Sequence, residues 1–80
     1  MDAALKSKII QIVKSVMDID ISTMKGSTKI NTISEWDSFN NLMLISKFQN
    51  EFKVNFTAVE IEETQTIDSL FNLIEKKSRK

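Results

Sequence analysis

The chain has eighty residues, with eleven Lys and Arg against eleven Asp and Glu, one Gly, and neither Pro, Cys nor His; this is enough for one small domain over residues 1–80, with no linker and no repeat. Lacking thiols and imidazoles, it has no disulfide, ordinary zinc site, cysteine nucleophile or imidazole triad, so a self-contained enzyme is not expected and any reactive thiol must come from outside. The even charge offers no basic field for nucleic acid, no apolar run approaches a membrane span, and "MDAALKSK" lacks the long apolar stretch of a secretory signal, so cytoplasmic residence is expected.

From Asp2 to Met17 the residues Leu5, Ile9, Ile12, Val13 and Val16 recur at helical spacing, opposite Lys8, Gln11, Lys14 and Ser15, and Asp2 is a suitable N-cap. Residues 18–36 show no periodicity. They form a long connection for so small a domain, but Ile19, Ile21, Met24, Ile30, Ile33 and Trp36 are spaced along it as anchors that can lie across a core. A second amphipathic helix is predicted after Asp37, again an N-cap type, and runs to about Phe52 with Leu44, Ile45, Phe48 and Phe52 as its buried stripe. "TAVE" at Thr57 to Glu60 matches a capping box and predicts a short third helix at about 58–63. Thr66 caps a last helix with Ile67, Leu70, Phe71 and Ile74 on one face and Lys76, Lys77, Arg79 and Lys80 near the negative end of its dipole. The expected architecture is all-α, a four-helix bundle with a long loop between helices one and two.

Two serines share an Asp-Ser-apolar setting, in "DSF" at 37–39 and "DSL" at 68–70. Ser38 falls in the first turn after Asp37, where backbone N–H groups lack intrahelical partners and the dipole is positive, so a phosphate esterified there would be stabilised. Ser69 reads instead as an ordinary polar-face residue after the Thr66 cap. With Phe39 at zero on a helical wheel, the core stripe of helix two lies at roughly 140–240°, while Phe39 and Met43 fall at about 0–40° with Leu42 beside them. Either these three form an outward docking patch next to Ser38, or Phe39 folds back on Trp36 and the loop. The acid pairs Glu62 with Glu63 and Asp18 with Asp20 read as solvated, with nothing nearby to shift their pKa values.

These features together resemble the acyl carrier proteins. The resemblance covers almost the whole chain: "DSF" at 37–39, the helix "LMLISKFQNEFKVNF" that follows, and "TIDSLFNLIEKK" near the end. It implies that Ser38 carries 4′-phosphopantetheine as a covalent cofactor, and that Asp37 orients the turn and helps the modifying phosphopantetheinyl transferase hold its metal. It also implies that Phe39, Leu42 and Met43 are the positions read by acyl-loading and acyl-transferring partner enzymes, and that Ser69 is without function. The missing thiol then belongs to the cofactor, and the chain is a non-catalytic, monomeric carrier of acyl thioesters. The chain departs from the family pattern at Phe39, which stands for Leu, and in helix two, where Glu51 is the only acid after Asp37. "WDS" at 36–38 is similar to small free-standing carriers of polysaccharide-modifying and other specialised pathways, so a dedicated carrier is expected before a general one of fatty acid biosynthesis. The alternatives are an aminoacyl or peptidyl carrier, and an unmodified helical adaptor that uses the Phe39, Leu42 and Met43 patch.

Overall fold

The computed structural model describes residues 2–78. Four helices, α1 (Ala3–Met17), α2 (Ser38–Phe52), α3 (Ala58–Glu63) and α4 (Ile67–Ser78), appear in the expected order. Their starts are set locally. Asp2 accepts the Ala4 N–H, Asp37 accepts the Asn40 N–H, and Thr57 and Glu60 form the reciprocal capping box, so each helix begins where a short polar side chain satisfies an orphan donor. The C-termini of α1 and α2 turn through Asp18 and Lys53 in the left-handed region, at φ 58° and 57°, a position usually given to Gly.

One core joins the helices. Ile9, Val13 and Met17 of α1 meet Leu44 and Phe48 of α2 and the full α4 stripe Ile67, Leu70, Phe71 and Ile74. Burying each such side chain contributes about 1.5–3 kcal/mol. Ile45 and Phe52 belong to the α2 stripe only in part, since both are half-buried, and of the two Phe52 packs against the core. Lys77 is paired with Glu60 of α3 at 2.8 Å rather than merely lying near the dipole, and Arg79 and Lys80 fall outside the described residues.

The long connection is more regular than its sequence suggests. It contains two 3₁₀ turns, Ile21–Thr23 and Ile30–Thr32, and a single antiparallel bridge between Lys29 and Thr66. Ile30 N–H donates to Gln65 O at 2.8 Å, Ile67 N–H to Thr28 O at 3.1 Å and Asp68 N–H to Gly26 O at 2.9 Å, so the crossover lies along the α3–α4 connection and the start of α4. Of its anchors, Ile21 and Trp36 are buried, while Ile19, Met24, Ile30 and Ile33 pack half-buried against the core. Asp20 caps the first turn through Ser22, and these hydrogen bonds, first from the Ser22 hydroxyl and then from its N–H, hold the Asp20 carboxyl below its ordinary value. The expectation that nothing would shift it was wrong because a capping partner is a local feature that charge spacing does not reveal.

Candidate functional site

Ser38 is the first residue of α2, and the chain reaches it through a fixed turn. Trp36 N–H donates to Ile33 O at 3.0 Å, Asn40 Nδ2 donates to Glu35 O at 2.8 Å, and the Trp36 indole Nε1–H donates to Asn41 Oδ1 at 2.8 Å. The two asparagines thus tie the end of the crossover to the first turn of the helix it enters. Asp37 is committed to the cap, its Oδ1 accepting Asn40 N–H at 2.8 Å and its carbonyl accepting Asn41 N–H at 2.9 Å. The N–H groups of Ser38 and Phe39 lie ahead of the first carbonyl that could receive an intrahelical bond. Ser38 is exposed, with its hydroxyl beside this positive end of α2.

The two serines differ in exposure and in what their hydroxyls bond. Ser69 is half-buried, its N–H donates to Thr66 Oγ1 at 3.1 Å and its hydroxyl lies 2.8 Å from the same oxygen. That hydroxyl is occupied in the cap of α4.

Ser38 also stands at the lip of a cavity of about 400 Å³. Its buried end is walled by Leu44, Phe48 and Leu70, with Ile45, Ile61 and Leu73 along the sides, while Lys29, Asp37, Ser38 and Asn41 line the more accessible end. No polar or charged residue among those described is buried, so the deep part offers apolar contact only. The α3 helix forms one wall. It is held there by Glu60, whose Oε1 accepts Thr57 N–H at 2.9 Å and whose Oε2 meets Lys77 Nζ of α4 at 2.8 Å. Both contacts keep the Glu60 carboxyl below its usual range, the Lys77 bond being the larger cause.

Phe39, Leu42 and Met43 are exposed, at 70%, 65% and 40%. Phe39 therefore does not fold back on Trp36, which is 7% exposed and bonded to Asn41. Val59 at the start of α3, 62% exposed, is a fourth large apolar residue facing solvent that the sequence reading passed over; a six-residue helix gives too short a period to reveal its outward side. The Trp36–Asn41 pair was missed too. Its signal was present, since Asn41 falls at about 200° on the wheel, inside the buried arc, and a polar side chain there requires a partner.

No family model matches the chain. Among curated proteins it is 28% identical over 76 residues to the acyl carrier protein of Chlorobium phaeobacteroides, an alignment that takes in 95% of this chain and 97% of that protein. The resemblance read from the serine motif and the helices around it thus extends along nearly the full length of both chains, and the all-α, four-helix architecture is the one that it implies. No helix of the described residues is long and apolar enough to cross a membrane.

Proposed function

We propose that the chain is a non-catalytic carrier domain that holds acyl groups on a 4′-phosphopantetheine arm esterified to Ser38. The observation that carries this reading is the position of Ser38: an exposed hydroxyl in the first turn of α2, lining a cavity whose buried end is apolar, in a chain similar over its length to an acyl carrier protein. The residues fit such a group. A phosphodiester on that oxygen lies at the positive end of α2 beside the free first-turn N–H groups, and the solvent side of Ser38 leaves the arm room to swing. When attached, the arm supplies the thiol that this chain lacks, on which an acyl group is held as a thioester.

The chain's own residues then attach, shelter and present. Asp37 fixes the turn and, in this reading, belongs to the motif recognised by the phosphopantetheinyl transferase. The buried end of the cavity, walled by Leu44, Phe48 and Leu70, suits an apolar acyl chain, while the carboxylates Asp37 and Glu62 line only its exposed part. Phe39, Leu42 and Met43 flank the attachment point and serve as the docking patch for enzymes that load and unload the arm. With only Lys47 and Glu51 charged in α2, the chain suits a dedicated pathway with apolar partners better than one that reads an acidic helix.

Intact-mass measurement after incubation with coenzyme A, magnesium and a broad-specificity phosphopantetheinyl transferase tests the reading. One phosphopantetheine is expected on wild type and on Ser69→Ala, and none on Ser38→Ala, with all three folded. An unmodified wild type, or a mass increase mapped to the peptide containing Ser69, sinks it.

A further inference from the structure

Asn41 lies in an arc of α2 otherwise given to the core, near Leu44, Ile45 and Phe48 on the wheel, and its half-buried side chain belongs to the cavity lining. A polar group in that position must be accounted for atom by atom. An indole N–H can only donate, so the 2.8 Å contact with Trp36 Nε1 requires the oxygen of the Asn41 amide to face Trp36. The orientation of the amide is thereby fixed by chemistry, and its NH₂ group points elsewhere. Asn40 provides a contrast, since its Nδ2 is used by Glu35 O. The Asn41 Nδ2 makes no hydrogen bond among the described residues, yet no buried side-chain nitrogen or oxygen is without a partner, so this nitrogen is open to solvent. Ser38 precedes it by about one helical turn on the same side of α2 and lines the same cavity.

We propose that Asn41 is a hydrogen-bonding subsite at the cavity mouth, where its side-chain amide donates to a neutral carbonyl oxygen of the group carried on Ser38. The inference rests on the carrier reading above. The ligand atom must be an acceptor, because a donor would meet only NH₂. It is taken to be a neutral one because the acceptors that follow the phosphodiester along the arm and its cargo are carbonyl oxygens, while Lys29 at the same mouth is the residue suited to a charged group. Two sources supply such an oxygen: the amide carbonyls of the arm, and the carbonyl at the head of its acyl cargo. Asn41 is in this view a positioning residue that sets where the polar head of the cargo stops and its apolar tail enters.

Asn41→Asp separates this role from a merely structural one. The aspartate keeps an oxygen for the Trp36 indole but replaces the NH₂ donor with an acceptor. The experiment compares side-chain NH₂ resonances of ¹⁵N-labelled wild type in the unmodified, phosphopantetheine-bearing and octanoyl-loaded forms, and the rate at which hydroxylamine cleaves the octanoyl thioester, giving octanohydroxamate and the free arm thiol, in wild type and Asn41→Asp. An Asn41 NH₂ proton should move downfield, already with the empty arm if the arm is the source, or only on octanoyl loading if the cargo carbonyl is. With the Trp36 indole resonance unchanged, Asn41→Asp should lose its octanoyl group to hydroxylamine about fivefold faster, the equivalent of one neutral hydrogen bond. Asn41 resonances that stay put in every form of a loaded wild type overturn the subsite while leaving the carrier reading intact. A chain that accepts no group on Ser38 overturns both.

Discussion

Glu60 uses its two carboxylate oxygens for different helices, Oε1 accepting the Thr57 N–H that starts α3 and Oε2 pairing with Lys77 of α4. One side chain thus both begins the shortest helix and fixes it as a wall of the cavity. Because these contacts depress the folded pKa of Glu60, their contribution is complete above the ordinary glutamate value of about 4.3 and is lost as pH falls through the lower folded value. Hydrogen-exchange protection of Ile61, Glu62 and Glu63 should therefore hold from neutral pH down to the ordinary glutamate value and then fall away towards the lower folded value, before the protection of α4 does. Glu60→Gln, which can still complete the capping box, should show weaker protection at neutral pH and no such drop. Identical acid profiles for the variant and wild type would remove Glu60 as the tether.

Gly26 offers a second test, of the crossover. Its carbonyl accepts Asp68 N–H at 2.9 Å, and a Cβ placed on it would stand 2.1 Å from Asp68 Oδ1. Its backbone needs no left-handed conformation, so the requirement is for space. Gly26→Ala should destabilise by about 1 kcal/mol, the low end of overpacking costs because the exposed Asp68 side chain can swing away. In an Asp68→Ala background the same change should cost distinctly less. Urea melts of the four proteins in a double-mutant cycle decide it; strictly additive costs would show that the Asp68 carboxylate is not the obstacle.

The docking role proposed for Phe39, Leu42 and Met43 predicts an unusual response to salt. Along the outward arc of α2, Phe39, Leu42 and Met43 stand among amides, Ser46 and the single cation Lys47, and the one acid of the helix, Glu51, is tied to Lys8 of α1 at 2.8 Å. Met43→Glu should leave the melting temperature nearly unchanged and slow loading by an acyl-transferring partner roughly tenfold, as loss of an interface anchor does. For wild type, raising ionic strength should slow loading only slightly. A steep salt dependence together with an indifferent Met43→Glu would move recognition to charges such as Glu62 and Glu63.

What could be read from the sequence is what depends on neighbours in the chain. Asp2, Asp37 and Thr57 mark helix starts because a cap bonds to an amide two or three residues away, and the α4 stripe from Ile67 to Ile74 is fully buried because a helical period needs no knowledge of the rest of the fold. The same locality set Ser38 apart from Ser69. The bridge between Lys29 and Thr66 unites segments far apart in sequence, and neither has a strand pattern that would announce it. The cavity was equally hidden, since Leu44, Phe48 and Leu70 each read as core and only their arrangement leaves space among them.

Trp36 has one more consequence, an optical one. It is the sole tryptophan in a chain without tyrosine, and its ring forms part of the cavity wall beside Ser38. Ultraviolet emission from this protein therefore comes from a single indole whose surroundings change when a chain fills the space next to it. If the proposed carrier reading holds, entry and exit of an acyl chain can be followed in real time on the native protein, without a label and without altering Phe39, Leu42 or Met43.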